Sequence, residues 1–237
     1  MSFVPSKSSA APIVASVIDT FIAPPCLAQI EILFEDEAIL VINKPSGLLS
    51  LSGKNPLNLD SVHYRLVQDF ADARLLHRLD FGTSGIILVA RNKHINGLLT
   101  QQFQHRSVTK TYQALLMGKL SADSGVIDAP IAKDAALFPR LKICELEGKT
   151  ALTEYQMLSY CEQTDLSRVQ FTPITGRTHQ LRLHSQHIGH PILGCDLYGG
   201  IVEGSKKPVR MMLHAQTLAF THPLTDERMQ IHCPCPF

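Results

Sequence analysis

The chain has 237 residues, 45% of them hydrophobic, which is enough for one large domain or two small domains with a sizeable core. A formal net charge of +1 excludes a globally cationic protein, so any surface that binds nucleic acid must be local. No apolar run reaches the roughly 18 residues of a membrane-spanning helix, and the N-terminus lacks a clean secretory pattern. We therefore expect a globular cytoplasmic protein with no membrane role, whose six cysteines are reduced.

The N-terminal residues 1–29 are rich in Ser, Ala and Pro and show neither a helical nor a strand period, which predicts a flexible arm. The folded domain is expected over residues 30–237. At its start, apolar segments separated by an acidic turn predict a strand pair over residues 30–34 and 38–43.

Later segments predict further strands and two helices. Residues 86–90 form a β-branched run that predicts a strand, and apolar residues at helical spacing over 94–105 predict a helix after it. Residues 178–188 predict a second helix, with Thr178 as N-cap and Gly189 at its end. More strands, in a mostly antiparallel sheet, are predicted over residues 111–117, 152–158, 168–171, 211–220 and 229–232.

Asp80 stands in a turn rich in Gly and Ser, directly before the predicted strand at 86–90. An acid in that place can point into a cleft. The alternative is an ordinary turn residue whose carboxylate accepts hydrogen bonds from its own backbone amides, and spacing alone favours that alternative. The following Gly-Thr-Ser-Gly is not the Gly-x-Ser-x-Gly of a nucleophile elbow, so a serine hydrolase is not supported.

Two arginines and two histidines crowd the start of the second predicted helix, within residues 173–184. Basic side chains at a helix N-terminus oppose the helix dipole, so an anion is expected beside them. A buried carboxylate, an RNA phosphate, or both would satisfy this expectation, and the alternative is a solvated basic face. Tyr112, on the interior side of its predicted strand, fits either plain core packing or a pocket in which it stacks on a nucleobase and transfers a proton.

Six segments resemble, in the same order, the motifs of the RluA family of pseudouridine synthases, and the resemblance covers nearly all of residues 31–237. The details at residues 45–50 and 173–177 are most similar to the small RluA subgroup, which acts on ribosomal RNA and, in its dual-specificity members, on tRNA. The six segments are residues 41–48, 77–85, 110–112, 176–184, 189–194 and 213–215 with His222 and Pro223.

The resemblance implies an enzyme that isomerises uridine to pseudouridine in structured RNA and needs no cofactor. It also implies an α+β fold with a mixed, mainly antiparallel sheet, flanking helices and a central RNA-binding cleft. Residue by residue, it implies that Asp80 is the catalytic carboxylate, that Arg177 is its ion-pair partner and that Tyr112 lies against the target base. Leu181 and Leu213 would wall the base pocket.

The target uridine must be flipped out of the RNA to reach Asp80, and the resemblance implies that Arg78 fills the vacated space. His77 is expected at the same RNA-binding surface, as a residue that stabilises the turn rather than as a catalyst. Candidate phosphate contacts are the basic residues Lys44, Arg106, Lys110, Arg182, Lys206, Lys207 and Arg210.

Many relatives carry a further N-terminal RNA-binding module, and the arm of residues 1–29 is too short to be one. Substrate choice is therefore expected to rest on the catalytic domain, acting as a monomer with RNA as its partner. A noncatalytic RNA-binding protein on the same fold is one alternative. A zinc enzyme is another, with ligands from His184, His187 and His190 and from Cys195 or the terminal His232, Cys233 and Cys235. We expect no metal, because Gly189 ends the helix between two of these histidines and no Cys-x-x-Cys pair is present.

Overall fold

The computed structural model describes residues 21–199 and 208–237. The described part of the N-terminal arm, residues 21–29, has no regular secondary structure. It lies against the region around the first helix: Asn58 Nδ2 donates to the carbonyl of Phe21 at 2.7 Å, and Arg65 donates to the carbonyls of Cys26 and Ala28 at 2.5 and 2.6 Å.

The described residues form twelve strands and three α-helices. The helices are α1 (Val62–Asp69), α2 (Lys93–Gln104) and α3 (Gln180–His187). The strands are β1 (Glu31–Glu35), β2 (Ile39–Lys44), β3 (Arg74–Leu75), β4 (Ser84–Ala90), β5 (Thr109–Met117), β6 (Ser124–Asp128), β7 (Ile131–Lys133), β8 (Leu141–Ile143), β9 (Leu152–Cys161), β10 (Leu166–Pro173), β11 (Leu213–Thr221) and β12 (Arg228–His232). None of the described helices combines the length and apolar character that a bilayer crossing requires.

Ten of these strands form one sheet in the order β1-β2-β4-β11-β5-β10-β9-β6, with β12 also paired to β11 and β3 to β4. Only β4 and β11 run parallel, whereas β7 and β8 form a separate hairpin. The predicted α+β class, with a mixed and mainly antiparallel sheet, is therefore confirmed.

Alternate side chains of β2 and β4 face opposite helices. Ile39, Val41, Ile86 and Leu88 pack with α2, while the intervening residues of both strands pack with α1. All seven residues of β4 are buried, as expected of a strand covered on both faces. This central strand fixes the turn before it, which carries Asp80.

Close approach between β4 and β11 depends on Gly85. Its φ of 110° is a backbone conformation that side chains disfavour, and a Cβ there would lie 2.2 Å from the carbonyl oxygen of Ala215. The glycine thus lets β11 bring Leu213 close to the Asp80 turn.

The predicted strands at 30–34, 38–43, 86–90, 111–117, 152–158, 168–171, 211–220 and 229–232 are present, with ends shifted by a few residues. The second predicted helix is also present, but Thr178 is not its N-cap. The N-cap is His179, which has a left-handed φ of 55° and makes no side-chain capping bond. We did not predict α1, although Ser61 caps it through a hydrogen bond from the amide of Tyr64.

Candidate active site

A cleft of about 660 Å³ opens between the turn before β4, the strand β5 and the loop that leads into α3. It brings together residues that are up to 164 positions apart in the chain, from Leu49 to Leu213. Nine of the ten predicted site residues line it, and the exception is Lys44. The nine are His77, Arg78, Asp80, Lys110, Tyr112, Arg177, Leu181, Arg182 and Leu213.

Asp80 faces the cleft with a side chain that is 25% exposed. The turn that carries it is closed through the main chain, because the amide of Thr83 donates to the backbone carbonyl of Asp80 at 3.1 Å. The carboxylate accepts no backbone amide from any described residue; its hydrogen bond comes from Arg182. The geometry therefore differs from that of a turn aspartate that bonds its own backbone.

Arg182 is the guanidinium that pairs with Asp80. Its Nη1 lies 3.2 Å from Asp80 Oδ2, its Nη2 lies 2.8 Å from Asp196 Oδ1, and its Nε donates to Cys195 Sγ at 3.3 Å. The Arg182 side chain is only 6% exposed. Two carboxylates thus offset a buried cation in the first turn of α3. They are the anions that the helix dipole argument led us to expect beside these basic residues.

Two sequence predictions are wrong on this point. Arg177 does not pair with Asp80: it is exposed, and its Nε donates to the carbonyl of Thr150 at 2.9 Å. Arg182 is not a surface cation open to phosphate, because its nitrogens are engaged in the buried network. The reason is that α3 starts at Gln180, so that residue 182 lies on the inward side of the helix and residue 177 lies in the preceding loop.

Tyr112 enters the cleft from β5, where it pairs in register with Ala215 of β11 and Phe171 of β10. Burial raises the pKa of Tyr112 above its ordinary value, and the nearby charge of Asp80 adds to the effect. The phenol is therefore protonated at neutral pH. Within the described chain its hydroxyl has no hydrogen-bond partner, so it is an available donor inside the cleft.

The apolar part of the cleft comes from Leu181 of α3 and Leu213 of β11, which are 7% and 3% exposed. Both belong to the same core cluster, against which Tyr112 also packs. A flat aromatic face and two leucines beside a carboxylate form a pocket suited to a nucleobase.

Residues 38–187 match the sequence model of the family described as RNA pseudouridylate synthase. The matched span contains Asp80, Tyr112 and Arg182. The chain belongs to the RNA pseudouridylate synthase family. Membership confirms the predicted activity: the protein is an isomerase that forms pseudouridine in RNA.

Individual relatives of this synthase agree with the match. The dual-specificity RNA pseudouridine synthase RluA of Yersinia pestis is 45% identical over 206 residues, which cover 87% of this chain and 99% of the relative. The protein of the same name from Escherichia coli (strain K12) is 41% identical over 214 residues, covering 90% and 97%. Among solved structures, human RNA Pseudouridylate Synthase Domain Containing 1 is 34% identical with a TM-score of 0.74, over 90% of this chain and 86% of that chain.

The rim of the synthase cleft carries two cations, Arg78 and Lys110, that form no ion pair with a carboxylate of the described chain. Arg78 is exposed and has no bonding partner among the described residues. It also borders a shallower neighbouring groove of about 490 Å³, together with Arg74. Lys110 places its Nζ 5.7 Å from the centre of the Phe103 ring, burial lowers its pKa, and no carboxylate of the described chain pairs with it.

His77 and Lys44 serve the fold of the synthase. His77 Nε2 accepts the amide of Leu88 at 3.2 Å, and burial, with a contribution from Lys110, lowers the pKa of His77 to about 3. This matches the turn-stabilising role and leaves Nε2 unavailable to RNA. The prediction of Lys44 as a phosphate contact is wrong, because Lys44 is fully buried. Its Nζ donates to the carbonyls of Pro45, Leu48 and Phe81 at 2.7 to 3.2 Å, and burial lowers its pKa to about 7.

Four candidate phosphate contacts remain: two lie outside the described residues, one is bonded within the fold and one is exposed. Lys206 and Lys207 lie outside the described residues. Arg210 donates to the Ser84 hydroxyl and stacks over the Phe237 ring. Arg106 is exposed, in the turn after α2.

The histidines of the zinc alternative are engaged separately. His184 bonds Thr153 Oγ1 at 2.9 Å and the carbonyl of Ala129 at 3.0 Å, and His190 bonds the carbonyl of Met117 at 2.9 Å. Over residues 21–199 and 208–237, no group of three or more His, Cys, Asp or Glu side chains is arranged to hold a metal ion.

Sequence reasoning missed three residues of the site: His179, Asp196 and Tyr198. His179 Nε2 lies 4.0 Å from Asp80 Oδ1, and His179 Nδ1 lies 2.9 Å from the Tyr198 hydroxyl. For Asp196 and Tyr198 the available signal was their position between Gly194 and Gly199, which both adopt a positive φ in the structure; the sequence offered no such signal for His179. Glycines with positive φ at both ends of a short loop indicate two tight turns, and such turns fix the positions of the side chains between them.

Proposed function

We propose that Asp80 is the catalytic carboxylate with which this pseudouridine synthase isomerises a specific uridine in structured RNA. The observation that carries the proposal is the pairing of Asp80 with the buried Arg182 at a cleft walled by Tyr112, Leu181 and Leu213. Arg182 places a positive charge 3.2 Å from the Asp80 carboxylate, at the point where the nucleotide enters.

The chemistry needs no redox step. The glycosidic carbon–nitrogen bond breaks, the detached uracil turns, and a carbon–carbon bond to the same ribose replaces the bond that was lost. The ring carbon that forms the new bond loses its proton, and the freed ring nitrogen gains one. An ionised Asp80 acts at the nucleotide, the Tyr112 face and the two leucines hold the uracil while it turns, and the protonated Tyr112 hydroxyl is available for proton transfer. We propose that these groups suffice and that no cofactor takes part.

Reaching Asp80 requires base flipping, since a stacked uridine cannot enter the cleft. Arg78 is the residue proposed to enter the RNA in its place. Its support is exposure at the mouth of the cleft without a bonding partner in the described chain. A planar guanidinium can stack on neighbouring bases and also bond phosphate. Lys110, on the same rim, is the proposed phosphate contact.

The substrate is proposed to be a stem-loop of ribosomal RNA, of tRNA or of both. The support is the dual-specificity name of relatives that are 41% and 45% identical over most of their length. We further propose that the enzyme acts as a monomer in the cytoplasm, through a catalytic domain of residues 30–237 that follows an arm of residues 1–29.

Pseudouridine mapping across the cellular RNA of a strain that lacks this protein tests the substrate. We expect one or a few sites to disappear, in ribosomal RNA, tRNA or both, and to return when the wild-type chain is supplied. An unchanged map in the strain without the protein would refute the proposed substrates.

A further inference from the structure

His179 adopts an unusual backbone conformation beside Asp80. Its φ of 55° is left-handed, and the other non-glycine residues with positive φ in the described chain, Arg106, Asp165 and Asp226, do not line the cleft. An N-cap residue usually bonds a first-turn amide through its side chain, and His179 makes no such bond. Strained residues of this kind cluster at functional sites. The imidazole of His179 therefore does not cap the helix, and its position must be fixed by other contacts.

Tyr198 holds the ring and sets its tautomer. The Tyr198 side chain is 1% exposed, and its hydroxyl oxygen accepts the amide of Leu141 at 2.9 Å. The buried hydroxyl must donate its own proton, and the acceptor in reach among the described residues is His179 Nδ1 at 2.9 Å. Nδ1 is therefore unprotonated and the ring proton is on Nε2. Burial lowers the pKa of His179 against the opposing charge of Asp80, so the ring is neutral at pH 7.

The resulting Nε2–H group has no acceptor of its own. Nε2 lies 4.0 Å from Asp80 Oδ1, which is beyond hydrogen-bond distance, and no other acceptor of the described chain is in reach. The side chain is 13% exposed and lines the cleft. A fixed and unused donor thus faces the space that the target nucleotide must occupy to reach Asp80.

We propose that His179 is a substrate-binding residue, which Tyr198 holds as its Nε2–H tautomer so that it donates to an oxygen of the target nucleotide beside Asp80. This inference rests on the proposed role of Asp80 at the nucleotide. The acceptor is either a carbonyl oxygen of uracil or a hydroxyl of the ribose, and both present a lone pair to an N–H donor.

The tautomer can be measured without any turnover. Long-range ¹H–¹⁵N correlation spectra of the free, ¹⁵N-histidine-labelled protein should show the His179 proton on Nε2, with the signal assigned by its loss in His179→Asn. In Tyr198→Phe the fixed tautomer should be lost. A proton on Nδ1 in the wild-type protein would overturn the inference.

Two substitutions separate the donor from the backbone conformation. His179→Asn tolerates a left-handed φ and places an amide near the Nδ1 position, but it has no atom at Nε2. His179→Gln can place an amide N–H near the Nε2 position. We expect His179→Asn to lower kcat/KM about ten-fold, the value of one hydrogen bond, and His179→Gln to recover part of the loss.

The matched control is His187→Asn, at an exposed histidine of the same helix outside the cleft, which should retain the wild-type rate. A His179→Asn enzyme as fast as the wild type would overturn the inference. A wild-type protein that modifies no RNA would instead overturn the proposed function itself, and this inference with it.

An RNA with 2′-deoxyuridine at the target position distinguishes the two acceptors. If the ribose 2′-hydroxyl accepts the bond, the deficit of His179→Asn should vanish on this RNA. If a uracil oxygen accepts it, the deficit should persist. The affinity of His179→Asn for RNA is measured as well. If it falls by the same factor as kcat/KM, the substitution weakens RNA binding in general, and a role of His179 at the target nucleotide would be contradicted.

Discussion

Two sets of basic side chains surround Asp80, and they differ in how they are bonded. The floor consists of Lys44 and Arg182, which are buried and fully used: Lys44 binds three carbonyls, and Arg182 binds two carboxylates and a thiol. The rim consists of Arg78, Lys110 and Arg177, which border the open cleft and pair with no carboxylate of the described chain.

The difference separates chemistry from RNA binding. Burying a cation without a partner costs several kcal/mol, so each floor cation must be matched by anions or acceptors and is lost to any other use. An exposed cation costs little, as for Arg78 and Arg177, and the partly buried Lys110 also faces no carboxylate of the described chain. The floor therefore supplies the ion-pair partner of Asp80 and holds its turn, whereas we propose that the rim contacts the RNA.

The largest expected effect is that of Asp80→Asn, which keeps the size of the side chain and removes its charge. Turnover should fall to background, because neither nucleophile nor base remains, while the affinity for RNA stays within about three-fold, since phosphate contacts and stacking carry it. Single-turnover assays and binding titrations on one stem-loop RNA would measure both. A folded Asp80→Asn protein with normal turnover would refute the catalytic assignment.

Arg182→Met tests the floor by removing the ion-pair partner of Asp80 at similar length. We expect turnover to fall on the order of 100-fold and the free energy of unfolding to fall by about 1 to 2 kcal/mol, because the partly buried Asp80 loses its cation while the exposed Asp196 stays hydrated. Arg177→Met is the matched control at the rim and should cost less than about 1 kcal/mol. Equal losses in both variants would break the distinction between floor and rim.

Arg78→Ala tests the rim. A uridine in a paired or stacked position leaves a gap when it flips, so its modification should slow about ten-fold, the equivalent of about 1.4 kcal/mol. A uridine already looped out leaves no such gap and should be modified at nearly the wild-type rate. Parallel assays on the two RNAs give the ratio. Equal losses on both would indicate that Arg78 only supports the fold.

Lys44→Met tests the floor through its pH dependence. The pKa of Lys44 is lowered from 10.5 to about 7 in the folded protein. Between those values the unfolded chain binds the extra proton, so this residue makes stability rise with pH from about 7 to 10.5. Denaturant unfolding of both proteins across this window should show the wild type gaining on Lys44→Met as pH rises. A constant difference would mean that Lys44 titrates normally.

Most of the sheet could be predicted from sequence, because strands such as β4 and β10 show β-branched or alternating apolar patterns that are local in the chain. The helix α1 was missed, as its eight residues offer only Val62 and Leu66 as buried positions. The short strands β3, β6, β7 and β8 were also missed. Their place in the fold depends on pairing with distant segments, and no local period records that pairing.

The sequence by itself determined the family and the class of fold, because six motifs resemble those of known synthases, and this resemblance also implied the cleft residues Asp80, Tyr112, Leu181 and Leu213. Only the tertiary structure decided which cation serves which purpose. Arg177 and Arg182 look alike in the chain, but α3 starts at Gln180 after a left-handed residue, and this start turns Arg182 inward and leaves Arg177 outside. The sequence shows which side chains are charged. Whether a charged side chain is buried, and must therefore be paired, depends on the folded structure.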